Sequence, residues 1–261
     1  MSSPIVILVV GSTVATVRAR RGDFADWFAH GLGRTLTETN GEAPDAVLFN
    51  PRDDSASEPD LRASSPPPAG VVVTGSASMV TEEDAWSLRA ERWLARALEH
   101  DVPVLGVCYG HQLLARVAGG TVDWNPLGRE IGTVEVELTA GAAEDPLFAD
   151  LAARFSGQAS HSQSVTVLPP RSTLLARSAR DPHAAFRLEG KRAWGVQFHP
   201  EFDADITRGY LQERRDELAA EGLDPEALSA AAHDDDAGAR LLRRFDALCR
   251  MWAAVDARPA R

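Results

Sequence analysis

The stretch Pro103–Val122, PVLGVCYGHQLLARVAGGTV, joins a short apolar run to a helical one and places Cys108 at the joint. The apolar part, VPVLGV (102–107), has the length and composition of a strand buried on both faces, as in a parallel sheet. QLLARVAGG (112–120) reads as a helix beginning immediately after it. In sheets of this kind ligands bind beyond the carboxyl ends of the strands, so a residue on a strand-to-helix turn points into the site. Gly106-Val107-Cys108-Tyr109-Gly110 also repeats the spacing of a nucleophile elbow, in which glycines allow the backbone to turn sharply.

Working outward, the same alternation repeats. PIVILVV (4–10) is continuous and β-branched, GDFADWFAHGLG (22–33) carries Phe24, Trp27, Phe28 and Leu32 at helical spacing, and DAVLFN (45–50) reads as a strand. SASEPDLRASSPPPAG (55–70) is rich in turn residues and predicts a surface loop. It leads into the strand GVVVTG (70–75) and the helix EEDAWSLRAERWLARALEH (82–100), which has Trp86, Leu88, Trp93, Leu94 and Leu98 to bury. Strand alternating with helix predicts an α/β fold with a doubly wound, mostly parallel central sheet. GTVEVELT (132–139), QSVTVLP (163–169), AAFRLEG (184–190) and KRAWGVQF (191–198) have short connections and predict a smaller mixed or antiparallel extension. After Phe202 the chain reads as two amphipathic helices, 208–223 and 238–255, with HDDDAG between them. The expected organisation is one domain over 1–203 and a helical extension over 204–261 packed on it, covering a sheet edge or offering a partner surface.

The 261 residues are 44% hydrophobic and 25% charged, ordinary for a globular chain with a sizeable core. Lys+Arg number 27 against 38 Asp+Glu, a net charge of −11, which disfavours nucleic acid and anionic membrane as partners. Cys108 and Cys249 do not form a disulfide framework and suit a reducing compartment. The apolar run Ile5–Gly11 has no basic segment before it and is too short to span a bilayer, so a cytoplasmic protein without a targeting segment is expected.

A helix N-terminus lowers a cysteine pKa, and the Tyr109 amide following Cys108 is placed to donate to an oxyanion. Taken alone, Cys108 reads equally well as a small buried apolar residue. A cysteine nucleophile needs a base, and His199 ends the run WGVQFHPEF at what reads as a second strand end, with Glu201 two residues on to hold the imidazole. His111 and His161 are placed near the site, whereas His30, His100, His183 and His233 read as surface residues and Cys249 as core. No zinc-type ligand spacing occurs, and no metal or cofactor is expected.

Together, PVLGVCYGHQLLARVAGGTV and AWGVQFHPEF resemble the class I glutamine amidotransferases, the group with a Cys-His-Glu triad, over roughly Ile5 to Phe202. VVVTGSASMVTEEDAW, GREIGTVEVELT, SHSQSVTVLPP and GDFADWF are similar to the stand-alone proteins related to the amidotransferase domain of GMP synthase. The resemblance implies that Cys108 attacks the side-chain amide of glutamine, that His199 is base and acid, and that Glu201 orients it. It further implies an oxyanion hole from the amides of Tyr109 and the Gly75 loop, with substrate contacts from Gln112 and the backbone around Ser162 and Gln163. The oxyanion segment is TGSAS rather than the Gly-Gly-Pro type, which leaves open which amides point inward. No ATP-pyrophosphatase domain and no phosphate-binding Gly-x-x-x-x-Gly-Lys-Ser/Thr loop is read, so an acceptor would be activated by a separate synthase. A free-standing γ-glutamyl hydrolase acting on glutathione-like peptides, and a binding protein of the same fold that has lost turnover, are the other two readings.

Overall fold

The structure, a computed structural model, describes residues 3–38, 43–61 and 67–256. In chain order its strands are β1 (Ile5–Leu8), β2 (Ala46–Phe49), β3 (Gly70–Val73), β4 (Val104–Val107), β5 (Thr121–Trp124), β6 (Glu130–Leu138), β7 (Arg154–His161), β8 (Gln163–Val167), β9 (Ser172–Ser178), β10 (Ala185–Leu188) and β11 (Ala193–Val196). The helices are α1 (Ala15–Arg21), α2 (Phe24–Leu32), α3 (Ala85–Glu99), α4 (Tyr109–Val117), α5 (Ala204–Glu213), α6 (Arg215–Ala220), α7 (Pro225–Ala231) and α8 (Ala237–Asp256).

The main sheet runs β2-β1-β3-β4-β11-β10-β9-β6-β7, parallel from β2 to β11 and antiparallel beyond. Its parallel half is buried on both faces. Ile5 and Ile7 of β1 join one apolar cluster with α2 and α8, while Val6 and Leu8 join another with α3 and α4. The period-two alternation of the strand thus supplies two cores at once, which explains the unbroken β-branched runs. β1 lies between β2 and β3, so connections diverge there and open a crevice beyond the carboxyl ends of the neighbouring strands.

The antiparallel extension is larger than the sequence reading. β7 and β9 were not expected, and the run 163–167 pairs with an unexpected β5 in a separate small sheet. RFSGQASH has no strong strand propensity, and its pairing along the whole of β6 makes it a strand. α1 was also missed, since only Val17 of its ATVRARR is buried. The loop expected over 55–70 falls partly outside the described residues.

The C-terminal region holds four helices rather than two. The first amphipathic run breaks at Arg214 (φ −100°, ψ 13°) into α5 and α6, and α7 begins at Pro225 after its N-cap Asp224. Leu211, Leu218, Leu223 and Leu228 close over Ile131 of β6. α8 lies on α2, and a Cβ at Gly31 would come within 2.5 Å of Leu242 Cδ1. Arg34, its side chain fully buried, reaches Asp246 of α8 at 2.5 Å, and Trp252 stacks on Trp194 at 5.9 Å. Among the described residues no helix is long and apolar enough to cross a membrane.

Candidate active site

β4 is fully buried and ends at Cys108. A Cβ on Gly106 would lie 2.3 Å from the Gly110 carbonyl oxygen, and one on Gly110 would lie 2.4 Å from that of Val73. Strand, helix and neighbouring strand therefore approach more closely than any side chain permits. Cys108 sits between the two glycines at φ 52°, ψ −103°, a conformation that costs a non-glycine residue about 1–3 kcal/mol. Its N–H donates to the Val196 carbonyl of β11 at 2.9 Å, and its own carbonyl accepts from Gln112 N–H at 3.1 Å. Both ends of the turn are thereby fixed.

β11 ends beside β4, and three residues later His199 donates its backbone N–H to Gln158 of β7 at 2.7 Å. Its Nδ1 meets Glu201 Oε1 at 2.7 Å, with the carboxylate fully buried. The ring lies parallel to Phe202 at 4.0 Å and to Phe24 at 6.0 Å. With Nδ1 held, the other ring nitrogen serves Cys108, whose thiol lies within interaction reach. Burial disfavours a thiolate at Cys108, yet the charge of His199 and a hydrogen bond from it outweigh that and hold the thiol below its ordinary range. Burial likewise disfavours an imidazolium at His199, but Glu201 and Cys108 overcome it and push His199 up to about 10. The two shifts favour a thiolate–imidazolium pair.

A second buried histidine reinforces this charge state. His161 faces the Gln163 carbonyl through Nδ1 at 2.9 Å and Glu130 through Nε2 at 3.0 Å. A carbonyl oxygen only accepts, and a carboxylate only accepts when ionised, so both ring nitrogens carry protons. Burial works against that charge, while Glu130 and Asp181 favour it and the net pKa is raised. Cys108 responds to this positive charge as well as to that of His199. Glu130 and His161 stand directly opposite each other in the β6–β7 pair.

Gly75 follows β3 on the same rim. A Cβ there would lie 2.9 Å from His199 Cε1 and 3.3 Å from the Phe24 ring, so only glycine lets this loop close on the imidazole. Tyr109 is the first residue of α4, so its N–H lies outside the intrahelical ladder. Its side chain turns away, with the hydroxyl 2.7 Å from Ser87 Oγ.

A cleft of about 190 Å³ opens over Cys108 and Tyr109, bordered by Gln112, Ser162 and Gln163. Gln112 Nε2 donates to Gln163 O at 2.8 Å and to Gln197 Oε1 at 3.0 Å, which leaves its oxygen for a ligand. The Ser162 and Gln163 carbonyls are already engaged, by Asn125 N–H and by Gln112 with His161. The Gln163 side chain donates to Thr81 Oγ1 at 2.6 Å. Arg129, Arg214 and Glu217 also border the cleft and were not singled out in the sequence, where they look like ordinary surface charges.

The remaining histidines divide. His111 is wholly buried against Phe186, and burial pushes it down to about 3, so it is a neutral core residue and does not border the cleft. His30, His100 and His233 are exposed as expected. His183 is half-buried, with Nδ1 2.6 Å from the Val165 carbonyl. Cys249 is core, and burial raises its thiol pKa. Among the described residues no cluster of three or more His, Cys, Asp or Glu side chains could hold a metal ion.

A model of the family described as glutamine amidotransferase class-I matches residues 29–213. The chain is 42% identical over 134 residues to a glutamine-hydrolysing GMP synthase of Thermomicrobium roseum, covering 51% of this chain and 23% of that protein. It is 36% identical over 179 residues to one from Aeropyrum pernix, covering 69% of this chain and 32% of that protein. The matched part therefore spans about a quarter to a third of these relatives' length. A crystal structure of a glutamine amidotransferase from Thermotoga maritima superposes with a TM-score of 0.69 at 21% identity, over 95% of this chain and 97% of that one, and shares the fold.

Proposed function

The chain belongs to the class I glutamine amidotransferases, and we propose that it hydrolyses the side-chain amide of L-glutamine through a thioester on Cys108 and delivers the ammonia to a separate synthase. The observation that carries this reading is the buried line Cys108–His199–Glu201, with the thiol pKa lowered and the imidazole pKa raised. The Cys108 thiolate adds to the amide carbon, and the amides of Tyr109 and Gly75 donate to the oxygen as it gains charge. The His199 imidazolium gives its proton to the amide nitrogen, the C–N bond breaks and ammonia departs. Neutral His199 then takes a proton from water as its oxygen adds to the thioester. Collapse of that adduct expels the thiolate and frees glutamate. Glu201 keeps the Nδ1 proton of His199 in place through both steps.

The leaving group departs on the His199 side, where the space between Cys108, His199 and Tyr210 is about 30 Å³. That suits ammonia rather than a peptide, and it favours glutamine over γ-glutamyl peptides. Gln112 Oε1, the free end of its amide, suits the substrate's ammonium, and Ser162 and Gln163 border the same end of the cleft. We assign 1–203 to the amidotransferase domain and 204–261 to its helical extension. Two free thiols suit a reducing cytoplasm.

Ammonia and glutamate release from L-glutamine and from glutathione, with Cys108→Ala as control, tests the proposal. Release from glutamine that is absent in the variant is expected. Preference for glutathione would make the chain a γ-glutamyl hydrolase. Absence of turnover on both, with and without a synthase, would leave a binding protein.

A further inference from the structure

The cleft over Cys108 is bordered on one side by the C-terminal helices. Arg214, at the break between α5 and α6, borders both the cleft and the small space beside His199. Its side chain is 23% exposed, and its Nε is buried without a hydrogen-bond partner. Its one ion pair is to Glu217, Nη1 to Oε2 at 3.3 Å, long for a charge-assisted bond. Glu217 borders the cleft too and is shared with Arg129, whose guanidinium is already held by Glu221 at 2.8 and 2.9 Å. A buried guanidinium nitrogen with no acceptor is costly unless a ligand completes it. Arg214 thus presents an unfilled donor set beside a half-exposed carboxylate, at the mouth of a site whose reacting atom is Cys108.

We propose that Arg214 and Glu217 recognise the amino-acid end of the substrate, Arg214 taking the α-carboxylate and Glu217 the α-ammonium. This rests on the amide-hydrolysis reading and adds to it the feature that selects an α-amino acid over a simple amide. A carboxylate matches the planar donor fork of an arginine, and the ammonium replaces part of what Glu217 loses as Arg214 turns to the ligand. The C-terminal helices therefore complete the substrate pocket as well as covering the sheet. An amide lacking either charge leaves one partner unpaired in the cleft and is rejected.

Ammonia release is measured for L-glutamine, for 4-aminobutanamide, which lacks the carboxylate, and for glutaramate, which lacks the ammonium. The unmodified chain discriminates against both analogues. Arg214→Gln raises KM for L-glutamine about ten- to a hundredfold, the value of a charge-assisted bond, with a smaller change in kcat. It abolishes discrimination against 4-aminobutanamide but not against glutaramate, and Arg214→Lys restores part of it. Glu217→Gln shows the reverse pattern. Iodoacetamide modifies Cys108 at the same rate in all these proteins, because that reagent carries no amino-acid end. Unchanged KM and analogue discrimination in Arg214→Gln, with the iodoacetamide rate preserved, overturn this inference and leave the amide-hydrolysis reading standing. An unmodified chain that releases ammonia from none of the three amides overturns that reading and this inference with it.

Discussion

Replacing Glu201 by glutamine removes the charge that holds the His199 imidazolium and little else. The carboxylate is fully buried, 2.7 Å from Nδ1. A hydrogen bond to a charged group is worth about 1.5–3 kcal/mol. At about 1.4 kcal/mol per pKa unit, its loss lowers the His199 pKa by roughly 1–2 units. From about 10, the value falls to roughly 8–9. The leaving nitrogen needs that proton, so the alkaline limb of ammonia release moves down by the same 1–2 units. At neutral pH, kcat falls by about 10²–10⁴-fold, the range for a displaced general acid–base. The stability-linked sign follows. A histidine pKa raised by folding stabilises the fold fully below its ordinary value of 6.5 and loses that contribution as pH rises towards about 10. The variant loses it at lower pH. The assay is ammonia release from L-glutamine between pH 6 and 11, with thermal unfolding over the same range. An alkaline limb that stays in place, with kcat unchanged, would refute the assignment of Glu201 as the residue charging His199.

Three further expectations follow from individual contacts. Glu130→Gln removes the carboxylate that keeps His161 charged, so the Cys108 thiol pKa rises and its iodoacetamide reaction shifts to higher pH, read from a pH–rate profile. Gly106→Ala puts a methyl 2.3 Å from the Gly110 carbonyl oxygen, backbone that cannot yield without moving α4. The expected cost is about 1–3 kcal/mol or more, seen as a lower denaturant midpoint. Arg34→Met strands Asp246 beneath α8, and the broken buried pair costs about 3–5 kcal/mol in the same assay.

The parallel half of the sheet was legible because its strands are buried on two faces and so read as unbroken apolar runs. The Cys108 turn was legible because close approach of backbones demands glycine at 106 and 110. His199 could be placed because it ends such a run. The Glu130–His161 pair could not, since it depends on β7, a strand of small and polar residues that exists through its pairing with β6. Arg214 and Glu217 were hidden for a different reason. On an amphipathic helix they look like any solvated charges, and only the break at Arg214 and the packing of Leu211 and Leu218 on Ile131 bring them over the cleft. His111 shows the converse, since its place beside the elbow suggested a site residue and the fold turned it into the core.

The central claim is that Cys108 carries the acyl group. Intact-mass spectrometry of the chain, quenched in acid during turnover of L-glutamine and followed by peptide mapping, tests it directly. A γ-glutamyl adduct on the peptide bearing Cys108, absent from Cys108→Ala together with all turnover, is predicted. Steady ammonia release by the Cys108→Ala variant, or an adduct on any other residue, would contradict the account.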